Sequence, residues 1–91
     1  MPELYFTVQL PDGVKRECYS PSTVVRNYFR SGDEISVAEF VQRSEKAFEA
    51  ASERVRARYG FACSSAAAQL ADIHHFTTPY PPDAMVRVLA I

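Results

Sequence analysis

Apolar residues occupy every second position in residues 4–10, which read Leu-Tyr-Phe-Thr-Val-Gln-Leu. A period of two is typical of a strand with one buried face, and these residue types favour strands. The run ends at Pro11-Asp12-Gly13, a turn sequence in which glycine adopts a positive φ at little cost. A second, more polar strand is predicted from Val14 to Tyr19. The pattern therefore predicts a β-hairpin with one solvent-facing side.

The segment after the hairpin is less regular. Ser20-Pro21-Ser22-Thr23 ends the second strand, because Pro21 has no N–H to continue a ladder. Residues 24–29 allow two interpretations, since Ser22 or Thr23 can cap a short helical turn while the β-branched residues also suit a short strand. We favour an irregular or helical turn there, followed by a loop at residues 31–34.

The longest predicted element begins with a capping-box pattern, Ser36 followed three residues later by Glu39. Apolar or small residues then recur at spacings of three and four, as on one face of a helix. These residues are Val37, Phe40, Val41, Ser44, Phe48, Ala51, Val55 and Tyr59. Gly60 is expected to end this helix in the left-handed conformation.

A second helix is predicted to start at Ser64 or Ser65, either of which can serve as its cap, and to run to about Phe76. A proline-rich connector at residues 77–82 stops it. Residues 85–91 are apolar apart from Arg87, which is typical of a well-covered inner strand.

The fold class predicted from these elements is α+β. Pairing the last strand with the first gives a three-stranded antiparallel sheet with strand one in the middle. Both helices are expected to pack on one face of that sheet. We expect residues 1–91 to form one domain, because 91 residues suffice for a single modest core.

Composition narrows the classes of function. The chain has ten basic and eleven acidic residues, without the basic excess of nucleic-acid binders, so we expect no nucleic-acid partner. No apolar run approaches the roughly 20 residues that span a bilayer, and the start lacks a signal-peptide pattern. We therefore expect no membrane association, a cytoplasmic location and reduced thiols. The cysteine spacing predicts no metal site, and no phosphate-loop motif or other pattern indicates a cofactor.

Two cysteines are the first candidates for chemistry. Cys63 lies at the predicted start of the second helix, where free N–H groups can lower a thiol pKa and create a nucleophile. The alternative is a small apolar residue packed in a corner. Cys18 lies beside the turn that follows the second strand, so the two cysteines can form either a redox pair or a packing contact.

Hydroxyl groups are the second candidates. They lie beside the two predicted helix starts, where a small carboxylate or phosphate can bind, although capping alone also explains them. Together with Cys18 and Cys63, the predicted ligand-binding set contains Ser20, Ser22, Thr23, Ser64 and Ser65. His74 and His75 point about 100° apart on a helix and are expected at a solvated helix end. A Cys63–His74 pair would be separated by about 16 Å, which argues against a nucleophile and its base.

Two stretches, Cys18-Tyr-Ser-Pro-Ser-Thr-Val-Val and Arg54-Val-Arg-Ala-Arg-Tyr-Gly-Phe-Ala-Cys-Ser-Ser-Ala, resemble a small bacterial family of nitrogen-starvation response proteins first named from mycobacteria. The Pro11-Asp12-Gly13 turn and the ending Val86-Arg-Val-Leu fit the same family, so the resemblance covers nearly the whole chain. It implies an accessory member of gene clusters that contain a nitrilase-type carbon–nitrogen hydrolase. It implies no catalytic residue, and the stretch from His74 to Pro79 departs from the family pattern.

Three hypotheses for function follow. The first is a non-enzymatic accessory or binding protein, homo-oligomeric, that acts with enzymes of nitrogen-compound metabolism. The second is a small thiol-dependent enzyme that uses Cys63. The third is a regulator that binds a small anion at the hydroxyl-rich helix starts.

Overall fold

The structure is a computed structural model and describes residues 3–60 and 64–91. Its order along the chain is two strands, a short 3-10 helix, a third strand, two helices and a last strand. The strands are β1 (Leu4–Gln9), β2 (Lys15–Ser20), β3 (Glu34–Ser36) and β4 (Met85–Ala90). The helices are α1 (Val37–Tyr59) and α2 (Ser64–Thr77), and the 3-10 helix is Thr23–Asn27.

The strands form one antiparallel sheet in the order β2-β1-β4-β3. The α+β class and the central position of β1, between β2 and the C-terminal strand, are confirmed. The prediction of three strands is wrong, because residues 34–36 pair with β4 on its outer side, with Glu34 opposite Arg87 and Ser36 opposite Met85. Three residues are too few to show a period of two, and Ser36 also serves as a helix cap.

The hairpin turn follows the prediction. Gly13 has a φ of 91°, and its N–H donates to the carbonyl of Leu10 at 2.9 Å. The N–H of Leu10 donates to the carbonyl of Val14 at 2.8 Å, which fixes the register of the two strands. Tyr5 therefore lies opposite Tyr19.

Of residues 24–29, residues 24–27 adopt the helical alternative as part of the 3-10 helix. The side chain of Ser22 accepts a hydrogen bond from the N–H of Val24 at 3.2 Å and caps the 3-10 helix. Phe29, just after this helix, is 1% exposed and enters the core.

Helix α1 begins and ends as its sequence indicates. The hydroxyl of Ser36 accepts the N–H of Glu39 at 3.1 Å. Gly60 has a φ of 80°, and its N–H donates to the carbonyl of Arg56 at 2.7 Å. The predicted inward face is buried or half-buried except at Tyr59, which is exposed because the last turn of the helix extends beyond the packed part.

Five phenylalanine rings connect the layers of the core. Phe6 of β1 lies 5.7 Å from Phe29 and 6.4 Å from Phe48 of α1, measured between ring centroids. Phe40 lies 5.7 Å from Phe29 and 6.5 Å from Phe76 of α2. These separations lie in the favourable range for aromatic pairs. The chain of rings ties β1 to both helices on one side of the sheet.

Strand β4 is an inner strand, paired on both sides, but it is not covered on both faces. Val86 and Val88 are fully buried, whereas Met85 and Arg87 are exposed. The expectation of a well-covered strand is wrong in this respect, because both helices pack on the same face. The opposite side, which we call the open face, carries the outward residues of all four strands.

A β-bulge interrupts the pairing of β1 with β4. Val8 lies opposite Val88, while Thr7 lies opposite Ala90, so Leu89 is the extra residue. The bulge lets the strand continue with Ile91 packed against the core.

Candidate functional site

Cys18 is a buried core residue. It is 0% exposed on the helix-covered face of β2. Burial, and then the neighbouring Asp72 carboxylate, raise the pKa of the Cys18 thiol to about 12, although Arg16 acts in the opposite direction. The thiol is therefore protonated near neutral pH and buried away from solvent.

Ser20 and Ser22 are also buried, and their hydroxyls shape the turn between them. The Ser20 hydroxyl donates to the carbonyl of Ser22 at 2.7 Å and lies 3.3 Å from its N–H. Ser22 caps the 3-10 helix, and Thr23, half-buried, is the first residue of that helix. The structure thus brings Cys18, Ser20 and Ser22 together along one buried stretch of chain.

The second predicted segment lies at the start of α2. Ser64 and Ser65 are exposed and already belong to the first turn of the helix. Cys63 and the predicted corner at residues 61–63 lie outside the described residues, as does the separation of Cys63 from Cys18. The ligand-binding role of these two segments stays a prediction.

Ser65 contributes to a groove that begins on the open face and runs along α2. We call it the tyrosine groove, and its volume is about 510 Å³. Its lining residues are Glu3, Tyr5, Tyr19, Ser65, Ala68, Gln69 and Asp72. Four of these residues come from one stripe of α2, and the two tyrosines come from neighbouring strands.

The two tyrosines form an aromatic corner. Their ring centroids are 5.6 Å apart and their planes meet at 62°. Tyr5 is 56% exposed, so part of its ring surface faces solvent. The two rings meet because Tyr5 lies opposite Tyr19 in the hairpin register.

Polar side chains of α2 attach this helix to β2 at the edge of the sheet, beside the groove. The side-chain oxygen of Gln69 accepts the N–H of Tyr19 at 3.0 Å. The side-chain nitrogen of Gln69 is buried and has no hydrogen-bond partner among residues 3–60 and 64–91. One η nitrogen of Arg16 lies 3.4 Å from both carboxylate oxygens of Asp72, and its guanidinium carbon lies 4.8 Å above the centre of the Phe76 ring.

The histidines lie at the exposed end of α2. The ε nitrogen of His74 is 4.0 Å from a carboxylate oxygen of Glu45. Within the described ranges, no three His, Cys, Asp or Glu side chains converge as a metal site would require. In the same ranges, no helix has the length and apolar character needed to cross a bilayer.

A family model described as nitrogen starvation-induced protein NitG matches residues 5–91. The match covers both stretches that carry the resemblance in the sequence and confirms it. No curated protein and no solved structure matches the chain.

Proposed function

The chain belongs to the family of nitrogen starvation-induced protein NitG, and we propose that it is a non-enzymatic accessory protein that binds enzymes of nitrogen-compound metabolism. In this proposal it acts as a homo-oligomer in the bacterial cytoplasm, beside a nitrilase-type carbon–nitrogen hydrolase from the same gene cluster.

The observation that carries this proposal is the open face of the sheet. Because α1 and α2 pack on the same side, the opposite side presents outward residues of all four strands to solvent. Two large side chains with apolar surface are exposed there, Met85 by 51% near the hairpin turn and Tyr5 by 56% farther along β1. Exposed apolar side chains rimmed by polar groups are typical of protein-binding surfaces.

Charged groups lie beside Met85. Arg87 forms an ion pair with Glu34 across the β3–β4 ladder, next to Met85. A groove of about 360 Å³ follows this part of the open face. Its lining residues are Gln9, Leu10, Pro11, Gly13, Glu34, Met85, Val86 and Arg87. A mixed apolar and charged surface of this kind supports selective contact with another protein.

The state of the Cys18 thiol also favours a binding function over catalysis. Cys18 is buried and protonated, and the hydroxyls of Ser20 and Ser22 are engaged in local turns. The alternatives, a thiol enzyme using Cys63 and an anion-binding regulator, depend on residues at the start of α2. They stay predictions.

The test uses purified full-length chain and the purified nitrilase-type hydrolase encoded beside it. Light scattering measures the oligomeric state, and biolayer interferometry measures binding to the hydrolase. We expect an oligomer that binds the hydrolase, and Met85→Lys should weaken binding. Ala71→Lys, an exposed position on α2, is the matched control. A strict monomer without affinity for the hydrolase would overturn the proposal.

A further inference from the structure

The stripe of α2 that lines the tyrosine groove has no role in the core. Ala66, Ile73 and Phe76 are the residues of α2 that pack into the hydrophobic cluster. The groove stripe, by contrast, has spacings of three, one and three residues and follows another side of the helix. Its members are Ser65, Ala68, Gln69 and Asp72. Packing of the core therefore does not explain these side chains.

Aromatic surface forms two walls of the groove. The rings of Tyr5 and Tyr19 meet edge to face, with an interplanar angle of 62° and centroids 5.6 Å apart, and both border the groove. Ring faces carry negative electrostatic potential and attract alkylated or protonated amines that approach within about 6 Å. Ala68 lines the same groove with a side chain of one methyl group, which leaves room for a ligand.

The charge of the lining has one sign. Glu3 and Asp72 are carboxylates, and the lining contains neither lysine nor arginine. Arg16 approaches Asp72 but lies against Phe76, outside the set of lining residues. Because Arg16 partly neutralises Asp72, the charge that favours a cation over an anion comes mainly from Glu3, together with the two aromatic rings.

A hydrogen-bond donor completes the site. The side-chain oxygen of Gln69 is fixed by the N–H of Tyr19, so its amide orientation is set. Its side-chain nitrogen has no partner among the described residues, although it is buried. This nitrogen is not exposed to the groove, whereas the exposed hydroxyl of Ser65 lies in it and can donate to an oxygen of a ligand.

We propose that the tyrosine groove binds a small organic cation, an alkylated or protonated amine that also carries a hydroxyl or carbonyl oxygen. The ammonium group sits beside the rings of Tyr5 and Tyr19 and the carboxylate of Glu3, and the oxygen faces Ser65. The groove is open to solvent, so each contact is weak and the dissociation constant is on the order of 1 mM. This binding goes beyond the proposed accessory function and does not depend on it.

The first test compares two ligands of the same shape. Choline carries a quaternary ammonium group and a hydroxyl, and 3,3-dimethylbutan-1-ol is its neutral counterpart. Amide chemical shifts of the full-length chain are followed by NMR as each is added at constant ionic strength. We expect saturable shifts at Tyr19, Ala68 and Gln69 with choline in the millimolar range, and about 5-fold weaker binding of the alcohol. Equal shifts with both ligands would overturn the proposal. So would the absence of shifts both with choline and with n-butylammonium, a primary ammonium ion.

Matched variants then locate the site. Tyr5→Phe keeps the ring and should keep choline binding, whereas Tyr5→Leu should weaken it about 3- to 5-fold. Glu3→Gln should also weaken binding, while Asp83→Asn, an exposed connector position, should leave it unchanged. The wild-type ligand comparison does not depend on the folding of any variant. Equal loss with Tyr5→Phe and Tyr5→Leu, or with Glu3→Gln and Asp83→Asn, would contradict the assignment.

Discussion

The hydroxyl of Tyr80 donates a 2.7 Å hydrogen bond to a carboxylate oxygen of Asp12, 68 residues away in the chain. This bond joins the proline-rich connector before β4 to the hairpin turn between β1 and β2. The other carboxylate oxygen of Asp12 accepts the N–H of Val14 at 3.2 Å. One exposed aspartate thus orders its own turn and ties it to a distant segment.

This bond predicts a pH dependence. The Tyr80 hydroxyl, and then the Val14 N–H, hold the pKa of Asp12 below its ordinary value, so the stabilisation is present above that value and is lost as pH falls through the lowered pKa. In Tyr80→Phe the pKa of Asp12 should rise toward the ordinary range. NMR titration of the Asp12 carboxyl carbon measures the change, and Tyr28→Phe is the control. An unchanged pKa in Tyr80→Phe would show that the bond is absent in solution.

Ser36, just before α1, and Ser44, within α1, should change the stability of the protein in opposite directions when each is replaced by alanine. The Ser44 hydroxyl is buried and has no hydrogen-bond partner among the described residues, whereas Ser36 caps the helix. Ser44→Ala should stabilise the protein by about 1 kcal/mol, because it removes an unsatisfied polar group and improves helix propensity. Ser36→Ala should destabilise it by about 1 kcal/mol through loss of the cap. Urea unfolding of both variants checks the signs, and destabilisation by Ser44→Ala would mean that its hydroxyl has a partner.

Because the Cys18 thiol is buried, we expect the protein to lose folding stability at alkaline pH. Burial raises the pKa of the Cys18 thiol from 9.0 to about 12, so folding favours the protonated form. The stabilisation is complete below pH 9 and decreases as pH rises toward 12, by about 2 kcal/mol at pH 10.5. Denaturant midpoints of wild type and Cys18→Ala between pH 8 and 10.5 isolate this effect, because other groups titrate in both proteins. Parallel curves for the two proteins would refute it.

The same burial predicts the reactivity of the thiol. Iodoacetamide at pH 8 should leave Cys18 unmodified in the folded chain and label it in urea, because a buried, protonated thiol is a poor nucleophile. Peptide mass spectrometry identifies which cysteine is modified. Rapid labelling of Cys18 in the folded chain would contradict its placement in the core.

Because of the bulge at Leu89, we expect two single-residue deletions in β4 to differ in their effect on stability. Deletion of Leu89 leaves Val8 opposite Val88 and Thr7 opposite Ala90, and so restores regular pairing. Deletion of Arg87 forces one of the buried valines of β4 onto the open face, which costs about 2 kcal/mol in lost burial alone. Thermal unfolding of both deletions, with Leu89→Ala as a control for the side chain, compares the costs. Equal destabilisation by the two deletions would argue against the bulge.

Local signals made much of the fold predictable. The Pro11-Asp12-Gly13 turn, the Ser36 cap and the Gly60 stop act within a few residues, so their effects are visible in the sequence itself. The interpretation of residues 24–29 as a helical turn is confirmed for residues 24–27, because Ser22 satisfies a neighbouring N–H. Of the predicted site, the sequence identified hydroxyls at helix starts, and the structure gives Ser22 such a capping role.

Features that depend on distant segments could not be predicted in this way. Strand β3 forms because β4 offers an unpaired edge beside the start of α1, and three residues carry no period of their own. The tyrosine groove forms because α2 lies against the edge of β2, where Gln69 reaches the N–H of Tyr19. The sequence alone gives no reason to associate Gln69 with Tyr19, 50 residues earlier.

The sequence by itself determined the hairpin, the limits of α1, the general position of α2 and the central place of β1, because period, caps and turn residues act over short distances. Only the tertiary structure decided that residues 34–36 add a fourth strand, that β4 is exposed on one face, and that the thiol of Cys18 is buried. These properties depend on which surfaces exclude water from each other, and that is settled when the whole chain packs.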